Sequence, residues 1–172
     1  ERFEQKQLMY VRNYIDSLDV SWQDFFHTTN KAVVEDYCRQ AGMSFEWSGD
    51  RLRTCKVRPA MMKHLETGEQ VFFNQLQLHH ISCLEPVIRE SLLSMFGEAH
   101  LPRNVYYGDG SPIEDSVMAE VNAVYQEAKV SFPWQQGDIL MLDNMLIAHG
   151  RNPYIGSRKI VVAMGEMHSE NA

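Results

Sequence analysis

A histidine and an arginine nine positions apart, His149 and Arg158, carry the chemistry this sequence offers most plainly. A neutral imidazole is a common ligand of iron, copper and zinc. A guanidinium is the natural fork for a carboxylate. At the mouth of a sheet, the two would suit a metal-bound cosubstrate that bears a carboxylate. Their frame is the stretch from Trp134 to Glu166. Two apolar runs, Ile139–Leu142 and Ile160–Met164, read as strands. Gly137-Asp138 turns into the first, and Asn152-Pro153 and Gly156-Ser157 break the chain between them. On spacing alone, a polar loop with a satisfied histidine and a surface arginine is the stronger reading.

The wider pattern adds to this. Trp134, Gly137, Asp138, four apolar residues, Asp143, Asn144, His149, Gly150, Arg151, Pro153, Tyr154, Gly156 and Arg158 stand in a fixed order. That string resembles the C-terminal signature of the taurine dioxygenase-like (TauD/TfdA) family of non-haem iron(II), 2-oxoglutarate-dependent oxygenases. The resemblance implies that His149 is the distal histidine of a 2-His-1-carboxylate triad. It implies equally that Arg158 binds the distal carboxylate of 2-oxoglutarate. Many members carry a second arginine four positions after the first; this sequence has Val162 there. Asp143 and Asn144 would orient the loop that bears the ligand. Arg151 can reach 2-oxoglutarate or substrate, or brace the loop through an ion pair.

A triad needs two further donors, and H-x-(D/E) on a strand would supply both on one face, since side chains alternate with period two. His64-Leu65-Glu66 has that form. It lies nearer to His149 than the family's triad residues do, where the family has a turn of similar composition, and Thr67-Gly68 bends the chain at once; it reads as a structural turn. His79 and His80 are followed by Ile81 and Ser82, and His100 by Leu101-Pro102. His168-Ser169-Glu170 lies in the tail. The expectation is that this chain is the C-terminal part of a larger oxygenase whose H-x-(D/E) lies upstream. The absence of an initial methionine points the same way.

Composition narrows the remaining classes. The chain has 172 residues, a one-domain length, of which 44% are hydrophobic and 23% charged. A net charge of −7 argues against a phosphate-backbone partner. Cys38, Cys55 and Cys83 are odd in number and form no C-x-x-C, so neither a disulfide framework nor a zinc knuckle is indicated. A reducing cytoplasm is the default expectation. No apolar run approaches membrane-spanning length.

The elements that must position the signature read as follows. Leu8–Tyr14 is a strand, with Arg12 on its solvated side. Ser21 caps a helical turn holding Trp22, Phe25 and Phe26, followed by a structural His27. Thr29 or Asn30 caps a helix through Gln40, with Ala32, Val33, Tyr37 and Ala41 inward and Gly42 as its stop. Met43–Trp47 and Leu52–Arg58 form a hairpin about Ser48-Gly49-Asp50. Val71–Asn74 is a strand. Asn74 and Gln77 beyond it are substrate-pocket candidates, although an asparagine tying down its own loop reads equally well. Pro86–Phe96 is a helix whose apolar face is Val87, Ile88, Leu92, Met95 and Phe96. The stretch 101–110 is a loop. Ser111-Pro112-Ile113-Glu114 forms a capping box for a helix reaching about Ala128, with Val117, Val121, Val124 and Tyr125 inward.

The sum is a mainly β chain with helical insertions (α+β), in agreement with the double-stranded β-helix, or jelly-roll, that the resemblance implies. One domain spans residues 1–172, with a helical insertion around 85–128. It would be incomplete on its N-terminal side, so another protomer or segment should cover its open edge. The stretches FFNQLQLHH and GDGSPIE resemble the branch of the family that serves nonribosomal-peptide and antibiotic pathways, of the syringomycin-pathway type. That branch implies hydroxylation of an amino acid, free or held on a carrier protein, with iron(II), 2-oxoglutarate and O2. Two rivals remain: a halogenase of the same fold, and a non-catalytic binding or oligomerising module.

Overall fold

The structure, a computed structural model, describes residues 1–16 and 18–165. Its centre is a strand early in the chain. β1 (Leu8–Asn13) follows a short helix α1 (Arg2–Lys6) and is paired on both sides. After α2 (Trp22–Phe26) and α3 (Lys31–Gln40), the hairpin β2 (Ser44–Ser48) and β3 (Arg51–Arg58) turns at Gly49-Asp50 and lays β3 against β1. A small ribbon, β4 (Met62–Lys63) with β5 (Gln70–Val71), leads to α4 (Leu76–His79) and α5 (Pro86–Phe96). β6 (Arg103–Tyr107) then returns to the free side of β1, and α6 (Asp115–Glu127) follows. The sheet order is β2-β3-β1-β6, antiparallel throughout, with Val11 opposite both Cys55 and Asn104.

Two apolar clusters hold these elements. Leu8, Ala60, Leu76, Val105, Tyr107, Ile113 and Met118 form one; Tyr14, Trp22, Val34, Cys38 and Leu52 form the other. The junction of α1 with β1 is seated on Gly108, whose amide donates to the carbonyls of Lys6 (3.0 Å) and Gln7 (3.2 Å). A Cβ there would come within 2.4 Å of the Lys6 carbonyl, so only glycine fits. Lys6 closes the same corner through Asp109 at 2.8 Å.

Several expectations change here. The stretch 101–110 contains β6, because Val105, Tyr106 and Tyr107 are good strand formers between the breakers. Long-range pairing with β1 decides the matter. Asn30 does cap α3, accepting from the Ala32 amide, but the buried face is Val34 and Cys38, while Val33 and Tyr37 are about half exposed. The sheet lies against the other stripe of that helix. Helix α6 starts at Asp115 without a capping box: Ser111 is spent on Asp109, and Glu114 reaches back to Arg2 at 3.1 Å. Its one fully buried residue is Met118, and Val124 is exposed. α5 has the expected bounds, but Val87, Ile88 and Met95 on its apolar face are exposed. The expected strand Val71–Asn74 shrinks to the two residues of β5. Arg12 is not solvated; it is stacked between Tyr14 (4.9 Å) and Phe25 (4.5 Å) and paired with Asp19 at 3.1 Å.

The largest correction concerns the signature. Neither Ile139–Leu142 nor Ile160–Met164 is a strand; residues 129–165 run as irregular chain with isolated turns. Ile139 is 93% exposed, Met141 90% and Val161 81%. A strand exists only through a neighbour's backbone, and no described strand offers its edge to this segment. The described fold is thus α+β with antiparallel sheets. His168-Ser169-Glu170 lies outside the described residues.

Candidate functional site

Among the described residues, a buried histidine side chain hydrogen-bonds the signature segment to the body. His64 sits at the end of the β4 strand, where Lys63 pairs with Gln70, and its amide donates to the Glu69 carbonyl at 2.8 Å. The tight turn that follows closes with the Gly68 amide on the His64 carbonyl (2.9 Å), Gly68 taking a φ of 73°. The imidazole is 4% exposed. Its Nδ1 accepts from the Thr67 amide at 3.1 Å and lies 3.0 Å from the Thr67 hydroxyl. An Nδ1 that accepts a backbone N–H fixes the neutral tautomer, so the proton is on Nε2. Nε2–H then donates to Asp143 Oδ2 at 2.8 Å.

Asp143 spreads that anchor along the signature. Its Oδ1 accepts from the Met145 amide at 2.9 Å, and its carbonyl accepts from Leu146 (3.2 Å) and Ile147 (2.9 Å). The turn so formed ends two residues before His149. The hydrogen bond from His64, and then that from the Met145 amide, hold the Asp143 carboxyl below its ordinary value. Upstream, Asp138 braces the Gln135–Asp138 turn by accepting from the Gln135 amide at 2.8 Å. Downstream, Lys129 Nζ lies 3.5 Å from Asn152 Oδ1, an exposed contact.

His149, Arg151 and Arg158 are all exposed on this segment. The Arg158 guanidinium lies 4.5 Å from the centroid of the Tyr154 ring, a cation–π contact that keeps the fork in one place without consuming its hydrogen-bond donors. The amides of Asn74 and Gln77 are turned into the fold. Asn74 donates to the Ala60 carbonyl at 3.1 Å and accepts from the Leu76 amide at 2.9 Å, and Gln77 donates to Asn122 on α6. In His64-Leu65-Glu66 the turn points Glu66 to solvent while the histidine is buried. Sequence reasoning found the turn but missed what it holds. The signal was a histidine three residues before Thr-Gly together with an aspartate in the signature, and nothing local connects them.

An iron(II) site of the 2-His-1-carboxylate type asks for three donors on one face. Among the described residues, no group of three His, Cys, Asp or Glu side chains is close enough to hold a metal ion. The described residues therefore do not by themselves make a complete iron site. Likewise, no helix among them is long and apolar enough to cross a membrane.

Known proteins similar to this chain cover both the body and the signature. It is 42% identical over 163 residues to the dapdiamide synthesis protein DdaC of Enterobacter agglomerans, an alignment that takes in 94% of this chain and 50% of that protein. It is 25% identical over 173 residues to a clavaminate synthase-like protein of Arabidopsis thaliana, covering 95% of this chain and 49% of the relative. The chain thus spans about half the length of the curated relatives it matches. Residues 1–164 match the family described as taurine catabolism dioxygenase TauD, TfdA. The sheet and the signature fall within one family match, and the chain belongs to the TauD/TfdA dioxygenase family.

Proposed function

We propose that this chain carries the 2-oxoglutarate-binding side of an iron(II)/2-oxoglutarate-dependent dioxygenase, with a jelly-roll as the fold of the whole protein. In this reading His149 is a metal ligand and Arg158 pairs with the distal carboxylate of 2-oxoglutarate. The reaction is hydroxylation of an amino acid, free or carrier-bound, in the assembly of a specialised small molecule. The observation that carries the reading is the family signature with both His149 and Arg158 in place, in a chain whose family match runs from residue 1 to 164. The similarity to a dapdiamide synthesis protein supports the pathway class. Tyr154 supports the arginine's part, because a stacked guanidinium presents its donors in a fixed plane. Arg151 is the proposed substrate contact, with Asn74 and Gln77, whose amides are bonded within the fold, shaping the pocket from behind; the residual donors of the triad come from outside the described residues.

One observation favours a second reading for the chain taken alone, a binding module without its own iron site: the described donors do not converge. Anaerobic calorimetry with iron(II) and 2-oxoglutarate separates the two. Joint binding that is lost in His149→Ala and weakened about 100-fold in Arg158→Ala, the scale of a charged carboxylate bond removed, supports the dioxygenase. A folded chain that binds neither ligand leaves the binding module. Succinate formed in step with hydroxylated rather than chlorinated product would separate the hydroxylase from a halogenase.

A further inference from the structure

We infer that His64 is a positioning residue: by donating from Nε2 to Asp143 it fixes the segment that presents His149 and Arg158 to its ligands. The inference rests on the proposed roles of those two residues. It is carried by geometry. Among the described residues, the contact at 2.8 Å is the buried polar tie between the body and residues 129–165. The Lys129–Asn152 contact, 3.5 Å and exposed, lies within the segment and does not tie it to the body.

The two ends of the tie are unequal, which shows how it works. His64 is held from both sides, by the Thr67 amide and hydroxyl on Nδ1 and by its own backbone in the β4–β5 ribbon, so its Nε2–H points in one direction. The Asp143 side chain, by contrast, is 45% exposed. Its place is set by His64 on one oxygen and by Met145 on the other. A rigid donor thereby orients a carboxylate, the carboxylate orients the 143–147 turn, and the turn sets where the chain emerges toward His149. A hydrogen bond to a charged acceptor is strong enough for this, and it is directional where an apolar contact is not.

The test uses four variants of the whole chain: His64→Leu, His64→Gln, Asp143→Ala and the His64→Leu/Asp143→Ala pair. Glutamine keeps a donor near the place of Nε2; leucine does not. Amide hydrogen exchange is read at Met145, Leu146 and Ile147, with Val11 and Cys55 in the sheet as internal references. Asp143→Ala and His64→Leu should speed exchange at the three turn amides about tenfold, the scale of one charged hydrogen bond. Val11 and Cys55 should stay as they are, glutamine should restore most of the protection, and the pair should be no worse than either single change. Should His64→Leu fail to fold, Asp143→Ala decides alone, since its side chain is half exposed. Unchanged turn amides in Asp143→Ala overturn the inference, as does equal acceleration in the sheet. The second readout is joint binding of iron(II) and 2-oxoglutarate, weakened about tenfold in Asp143→Ala and near the parent value in His64→Gln. If the parent chain binds neither ligand, the chain taken alone is the binding module, while the exchange pattern still upholds or overturns the anchor.

Discussion

The sheet of β2, β3, β1 and β6 and the segment 129–165 are both rich in apolar residues, yet they meet water very differently. Leu8, Val11, Leu52 and Val105 in the sheet are essentially buried, whereas Ile139, Met141, Val161 and Val162 in the segment are open to solvent. The cause is pairing. β1 is paired on each side and its Leu8 packs in the cluster with Leu76 and Tyr107; among the described residues the signature pairs with no strand. Burial is a property of what a residue faces, and the hydrophobic gain scales with the area removed from water. The part of the chain that carries the family's chemistry is thus the part least supported by the chain's own packing.

The sharpest way to break this comparison is to remove the same kind of mass from both regions. Leu8→Ala leaves a cavity in the cluster with Tyr107 and Met118 and should cost about 2–5 kcal/mol in urea unfolding. A loss below ~1 kcal/mol would mean that the first cluster is not packed in solution as described here.

A smaller effect comes from the polar tie inside the body. Asp19 accepts from Arg103 at 2.7 and 2.8 Å and from Arg12 at 3.1 Å. The Arg103 hydrogen bond, reinforced by Arg12, lowers its carboxyl from 3.8 to about 2. A group with a lowered folded value stabilises the fold above its unfolded value near 3.8 and stops doing so as pH falls through about 2. Asp19→Asn should therefore lose on the order of 2 kcal/mol at neutral pH. The gap from the parent should close between about pH 4 and pH 2. Urea titrations at several pH values give the curve; a constant gap across that range would remove the ion pairs from the account.

What the sequence made legible divides along the same line. Caps and turns are local, so Ser21, Asn30 and Gly49-Asp50 could be read directly, as could the bounds of α5. Facing is not local. The inward stripe of α3 depends on where β2 and β3 lie, and β6 exists because β1 has an open side nearly a hundred residues earlier. In the signature the situation inverts: twelve spaced residues name a family, while their shape depends on contacts that no short pattern records. His149 and Arg158 stood out because their chemistry is rare in combination. His64 did not, because its partner Asp143 is far away in sequence and each has an ordinary local explanation.

The smallest expected effect is the most informative about the open segment. Met141→Ala removes a side chain that is already 90% exposed, so no buried contact is lost and no cavity forms. The change in unfolding free energy should stay within ~0.5 kcal/mol, the range of surface substitutions. Leu8→Ala supplies the scale in the same experiment. A Met141→Ala loss above about 1 kcal/mol that grows with protein concentration would place the methionine in an interface between copies, since mass action ties association to stability. The same loss without concentration dependence would mean that residues 139–142 fold back on the body in solution. Either result would move the signature from the exposed region of this comparison to the packed one, and the His64–Asp143 bond would then be one support among several.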